Sequence, residues 1–542
     1  MALTHKLRKP VASGEALRSR NKVLVAGVFL ALGVAGVLAF LLWGCGTGTS
    51  AQVSPPPPAA VQPLQVSDVQ NIVQAAVNSV GVDMVVAVVD RAGFVLGVFR
   101  TPNAPAMSTG NFGQPVDAND LAVALGRTGA FFSNDQAPLS SRTVRFISGI
   151  HFPPGVANQP PADLYGIENT NRGCTLVNDP NFQSKIPPSL MLNGGFGPGV
   201  VTGKADTNDS SATAVNPGGV PIFYNNVVLG GIGVVTSVNN ANVAEFAAFT
   251  GSTTARTGPS DSFGPTPAAP GVVFISGVAL PFVNQTSLPA GFSPGPVAGT
   301  GSFLIPPTNS QGQPPEGDLI APAAGPLGGL SAADVKQILD NAEATANTTR
   351  AAIRLPIGSR TKMVVAVADL DGTIIGLRRM PDSTVFSIDV AVTKARNMVY
   401  FNSNSRTAAE LNGVPLGRAV TNRTIGFGAH PLYPPGIDGT SAGPFLGLYA
   451  MDVANPCTQG SQTGATNANK SGIVFFPGSA GLYRNGTLVG GLGVSGDGVD
   501  EDDYVTNGGT FGFEAPTSIR ADQITDQGVR LPYFKFPRNP TN

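Results

Sequence analysis

The chain is short of charge. Only 12% of its 542 residues are Asp, Glu, Lys or Arg, and their formal sum is −1. About a quarter is usual for a soluble domain. That scarcity excludes a basic nucleic-acid footprint, so no nucleic-acid partner is expected, and it excludes a disordered polyelectrolyte. Histidine is scarcer still, with three residues. Only His151 and His430 lie beyond the N-terminal segment, so proton transfer by imidazole has few places to occur. Three cysteines are too few for a disulfide scaffold. What is plentiful is glycine (68) and proline (47), which build loops, while apolar residues at 42% are enough for a real core. This length predicts two to four domains at about 100–200 residues each.

One region does concentrate charge of one sign. Residues 1–22 hold six Lys and Arg against a single acid, Glu15, and the 21 residues from Val23 to Trp43 hold no charge at all. As a helix that run would reach roughly 31 Å, one bilayer core. Basic, then apolar, then small is the order of an export segment, with the positive flank cytoplasmic. The run ends Leu42-Trp43-Gly44-Cys45, which is similar to the lipobox of bacterial lipoproteins and makes Cys45 the lipidation candidate. An uncleaved signal anchor and simple secretion are the alternatives. All three place the rest of the chain outside the cytoplasm, periplasmic or at the cell surface, with a membrane partner at the N-terminus in the first two. Residues 1–50 thus read as the targeting segment, and 51–63, with Pro55–Pro58, as a stiff spacer.

The remainder is an internal duplication. Met84-Val85-Val86-Ala87-Val88-Val89-Asp90 recurs as Met363-Val364-Val365-Ala366-Val367-Ala368-Asp369, and ten of the nineteen positions from Met84 to Pro102 are identical at an offset of 279. Arg142-Thr143 matches Arg423-Thr424, Leu164-Tyr165 matches Leu448-Tyr449, and Leu229-Gly230-Gly231 matches Val489-Gly490-Gly491. Unit one spans 64–284 and unit two 330–542, with the Gly- and Pro-rich 285–329 between them as linker. Each unit opens on a helical stripe, Val69, Ile72, Val73, Ala76 and Val77 in the first and Val335, Ile338, Leu339 and Ala342 in the second. Ser67 with Gln70 is the expected capping box of the first, and Ser331 caps the second. The β-branched run Val85–Val89 predicts a buried strand, Asp90–Gly93 and Asp369–Gly372 predict turns, and Asn485-Gly486 predicts a type I′ hairpin. A further helix is expected over Asp389–Phe401. Each unit therefore reads as α+β, a mostly antiparallel sheet packed with helices.

The second unit resembles the GlcG/HbpS-like family of haem-degrading or haem-binding domains. Its residues carry the likeness: Leu330-Ser331 with Ala333-Asp334, Val365-Ala366-Val367 with Asp369 and Gly372, Arg379-Met380-Pro381-Asp382, Ser387-Ile388-Asp389 with Lys394, and Leu488 through Gly496. Unit one keeps Val86–Asp90, Gly93, Arg100 and Leu164-Tyr165, but places Leu125 where unit two has Lys394. The resemblance implies two tandem profilin-like units forming a built-in pseudo-dimer, a possible homo-oligomer, and haem or a related small molecule as ligand. The long loops 103–118, 150–216 and 430–476 depart from the compact family pattern.

Candidate ligand-binding residues follow. His151 and His430 each lie between an Arg-Thr pair and a Pro-Pro-Gly, and neutral imidazole binds iron readily, although a hydrogen-bonded loop histidine is the alternative. Tyr165 and Tyr449 align, and tyrosinate can also hold haem iron, with core packing the alternative. Arg100 and Arg379, with Lys394, could meet haem propionates or a small organic acid, with surface arginines the alternative. Cys174 and Cys457 are equivalent positions that read either as a disulfide or as two free thiols. No C-x-x-C-H occurs, which excludes covalent c-type haem. Gly491–Gly496 spells G-x-G-x-x-G, but a hairpin strand precedes it and the acids from Asp497 to Asp503 follow, so close strand packing is expected rather than a nucleotide site. Two functions from different classes lead: an exported, membrane-tethered protein binding haem or a related small ligand, and a non-catalytic extracellular interaction module built on the long loops; the family resemblance alone implies a third, a small-acid enzyme related to glycolate metabolism.

Overall fold

A strand with apolar residues on both faces needs cover on both sides, and the strand Met84–Asp90 receives it. The computed structural model describes residues 61–110, 115–148, 164–167, 217–258, 261–264, 273–275, 277–437, 439–454 and 471–541. In chain order the first half holds α1 (Val66–Ser79), β1 (Met84–Asp90), β2 (Val95–Arg100), α2 (Ala118–Phe132), α3 (Ser141–Ile147), β3 (Gly219–Tyr224), β4 (Val227–Thr236) and α4 (Ala241–Ser252). Two short strands follow, β5 (Ser302–Ile305) and β6 (Gly317–Ile320). The second half holds α5 (Ala332–Thr348), β7 (Val364–Ala368), β8 (Ile374–Arg379), α6 (Ser387–Asn402), α7 (Asn422–Gly428), α8 (Leu446–Ala454), β9 (Ser479–Arg484), β10 (Thr487–Ser495) and α9 (Val499–Gly509).

The strands make two five-stranded sheets of the same order, β5-β2-β1-β4-β3 and β6-β8-β7-β10-β9. Every neighbouring pair in both is antiparallel. The class is α+β. Within β1 the two-residue period sorts side chains between two cores. Met84, Val86 and Val88 join Val69, Ile72 and Ala247 of α1 and α4, while Val85, Ala87 and Val89 face the other way. The second half repeats this. Met363, Val365 and Val367 pack with Leu339 and Val505, and Val364, Ala366 and Ala368 face inward. The two inward faces share one core, in which Phe132 of α2 stacks on Phe386 at 3.9 Å and 8°.

The glycine-rich strands exist for a close approach. A Cβ on Gly491 would run into the carbonyl of Ala395 in α6, and one on Gly231 into the carbonyl of Gly126 in α2. The G-x-G-x-x-G string is therefore strand-to-helix packing, and the acids after it open α9, with Asp500, Glu501 and Asp502 in its first turn. Asn485 and Gly486 take φ of 51° and 78°, as a type I′ turn requires. Ser331 caps α5 in a reciprocal box with Asp334. In α1 the box is Gln65 with Asp68 instead of Ser67 with Gln70, because the helix begins at Val66.

Residues 285–329 do more than link. β5 lays Ser302 beside Arg100 and β6 lays Gly317 beside Arg379, so each sheet takes an edge strand from this stretch. Asp90 then accepts the N–H of Gln311, and Asp369 accepts those of Leu327 and Gly328, anchoring the chain at equivalent carboxylates. Gly and Pro masked the strands in composition, since two four-residue edge strands need little β propensity of their own. The loop 103–118 likewise contains a small hairpin, Met107–Thr109 against Pro115–Asp117. Among the described residues no helix is long and apolar enough to cross a membrane. The 23–43 run and Cys45 lie outside them.

Candidate functional site

The equivalent segments at Tyr165 and Tyr449 meet each other. Leu164 donates its N–H to the carbonyl of Ile147 at the end of α3, which fixes the short turn carrying Tyr165. Tyr449 lies on α8. The two rings stack at 5.0 Å and 22°. Gly166, at φ 77°, lets the backbone pass against Phe475 and Tyr449 where a side chain would collide. His430 follows α7, and its ring lies 4.6 Å from that of Tyr165. The loop around it is tied down by Gly443, whose N–H donates to the His430 carbonyl, and by Phe445, whose N–H donates to that of Gly428.

Beside this cluster is a cavity of about 210 Å³. Its walls are largely rings and prolines, among them Phe427, Phe475, Phe476 and Pro532, with Tyr165 and His430 at one side and Arg423, Asp500 and Lys535 at another. Arg423 reaches Asp500 at 2.7 Å and is also paired with Asp503. Burial alone would lower its pKa, but Asp503 and Asp500 more than offset this and hold it raised, so the guanidinium stays charged. Lys535 reaches the other oxygen of Asp500 at 2.7 Å. The first half has the corresponding buried pair Arg142–Glu245 at 2.6 Å. The sequence showed Arg142 and Arg423 as equivalents, but their acid partners sit about 80–100 residues away and only the fold pairs them. Phe475 and Lys535 were missed altogether, and no local pattern marks them.

The other sequence candidates stand apart from this cavity. Arg100 donates to Asn119 at 2.7 Å and to the carbonyls of Ala104 and Pro105. Arg379 is buried, donates to the carbonyls of Pro314, Pro315 and Ser383, and has its pKa lowered to about 10 by burial. Both close their own hairpins. Lys394 is fully buried on α6, donating to the Val494 carbonyl at 2.7 Å and to Asp502 at 3.0 Å, above the Phe476 ring. Burial lowers its pKa and raises that of Asp502 to about 7. His151, Cys174 and Cys457 lie outside the described residues, as does most of the loop 150–216. Among the described residues no cluster of three or more His, Cys, Asp or Glu could hold a metal ion.

Residues 330–510 match a family model described as haem degrading protein HbpS-like. The second half is thus similar to that family over about a third of the chain. That match covers the sheet β8-β7-β10-β9 together with α5 through α8 and α9. Among solved structures, a PduOC:haem complex is 22% identical, covering 35% of this chain and 97% of its own, with a TM-score of 0.23. The Klebsiella pneumoniae protein ORFY is 19% identical, covering 34% of this chain and 90% of its own, with a TM-score of 0.22. No curated protein matches the chain.

Proposed function

We propose that this protein is an exported, membrane-tethered binder of haem or a related small ligand, and that the aromatic cavity beside Tyr165 and His430 takes it. The make-up of that cavity carries the reading: apolar rings for a flat body, with the Arg423–Asp500–Lys535 ion-pair cluster at one side as its polar edge. The HbpS-like second half supports haem as the first ligand to test. The basic flank and uncharged 23–43 run support export and tethering.

The iron donors do not fit haem ligated through its metal at this cavity. His430 accepts the Leu432 N–H on Nδ1 at 3.2 Å, so the neutral ring carries its proton on Nε2. Tyr165 donates its hydroxyl to the Ala429 carbonyl at 3.3 Å, a bond that ligation as tyrosinate would give up. At about 210 Å³ the cavity is below the roughly 300–1,000 Å³ of sites that enclose a drug-sized ligand, so it would hold one edge of haem or the whole of a smaller ligand. The reading is therefore binding by ring stacking and charge, with no step routed through iron.

A haemin titration of the full-length chain, followed by absorbance, tests it. We expect a saturable Soret change near one equivalent, weakened about tenfold or more by Phe427→Glu, which puts a carboxylate in the cavity. His430→Ala should leave the Soret position unchanged. No saturable change, or equal binding by Phe427→Glu, would overturn the reading. A Soret shift in His430→Ala would restore the imidazole as ligand.

A further inference from the structure

A second and larger cavity, of about 630 Å³, lies next to the first. The two share Val499, Asp500 and Lys535 as lining residues, so the Lys535–Asp500 ion pair stands where they meet. The larger one is bounded by the short hairpin of Phe274–Ile275 with Val278–Ala279, by residues 350–357, by the start of α9 and by residues 535–538.

Cations outnumber acids in it. Arg350, Arg354, Lys535 and Arg538 line it against Asp500 and Glu501. Arg354 is committed to Asp497 and to Asp382, and Asp500 is held by Arg423 and Lys535. Arg350 gives one Nη to the Arg538 carbonyl at 2.9 Å and its backbone N–H to the Pro540 carbonyl, which pins the last residues across the cavity. Its Nε is buried with no hydrogen-bond partner among the described residues. Arg538 is exposed.

The rim is apolar where it meets water. Phe274, Ile357 and Phe536 are 48%, 75% and 44% exposed, and all three line this one cavity. Scattered surface apolar residues need no explanation, but a cluster around a concave, cationic site does. Its volume falls within the range of sites that enclose a small organic molecule, roughly 300–1,000 Å³.

We propose that this cavity is a second binding site, for an amphipathic organic carboxylate: the carboxylate against Arg350 and Arg538, the apolar body on Phe274, Ile357 and Phe536. A charge-assisted bond to guanidinium supplies orientation, and desolvation of the three side chains supplies affinity. The site is independent of the haem reading, because none of these five residues lines the smaller cavity.

Fluorescence titration of the full-length chain with 1-pyrenebutyrate, and with its uncharged analogue 1-pyrenebutanol, tests this. The carboxylate is expected to bind at least tenfold more tightly than the alcohol. Arg538→Gln and Ile357→Asp, both at exposed positions, should each weaken pyrenebutyrate at least fivefold while leaving the thermal melt and the haemin titration unchanged. Equal affinity for the two probes overturns the proposal, as does unchanged binding in both variants. Parallel loss of haemin binding in those variants overturns it as a separate site and makes the two cavities one.

Discussion

The buried Lys394–Asp502 pair has a natural counterpart from which its energetics can be worked out. Arg127 and Arg396 each donate to the carbonyl of the turn glycine, Gly93 and Gly372, which aligns α2 with α6 and sets Leu125 opposite Lys394. A Cβ on Gly218 would meet Val234 and the Ala244 side chain, and one on Gly478 would meet Val494, Asp502 and Lys394. Ala244 is thus the equivalent of Asp502. The first half fills with Leu125 and Ala244 the place where the second half holds an ion pair. Lys394→Leu alone leaves Asp502 buried without its cation, and removing one member of a buried pair costs about 3–5 kcal/mol. Asp502→Ala alone strands the ammonium at a similar cost. The double substitution Lys394→Leu with Asp502→Ala rebuilds the first half's apolar arrangement, and such replacements are often neutral or stabilising by about 1–4 kcal/mol. Urea unfolding by circular dichroism should give a coupling of at least about 2 kcal/mol between the sites. Effects that add within about 0.5 kcal/mol would refute the reasoning. The pH dependence is a second check. Asp502 already stands at about 7 against 3.8 unfolded, so the folded chain holds this proton more tightly and its contribution falls as pH rises between about 4 and 7. Without Lys394 the carboxyl rises further, so Lys394→Leu should be less destabilising at pH 5 than at pH 8. An equal loss at both pH values would show that Asp502 does not carry the penalty.

Gly491→Ala drives a methyl into the Ala395 carbonyl and should cost about 1–3 kcal/mol by overpacking, read as a lower urea midpoint; an unchanged midpoint would mean that α6 can move off the sheet freely. Cys45→Ser should move the protein from the membrane to the soluble fraction in cell fractionation, and retention in the membrane would favour the uncleaved anchor over lipidation.

Much of the fold was legible because it was written twice. Val85–Val89 was readable as a buried strand from β-branching, Val364–Ala368 as its repeat, and Ser331 as a cap. The Asn485-Gly486 turn was readable because its φ values are those few other residues tolerate. The edge strands β5 and β6 were not, since Gly and Pro surround them and their pairing partners lie about 60–200 residues away. Site residues were the least legible. Arg100 and Arg379 looked free for a ligand because a sequence shows a guanidinium but not the carbonyls that take it. Lys394 likewise read as a cation for a ligand's carboxylate, although it is buried with Asp502.

By itself the sequence determined the local periods, the turns, the duplicated order of elements and the basic-then-apolar N-terminus, all of which depend on residues a few positions apart. Tertiary structure alone decided which carboxylate meets which cation, that Tyr165 stacks on Tyr449 beside His430, and that two cavities adjoin at Asp500 and Lys535. Charge pairing and ring stacking act over a few ångströms of space, and only the folded chain brings residues hundreds of positions apart within that reach.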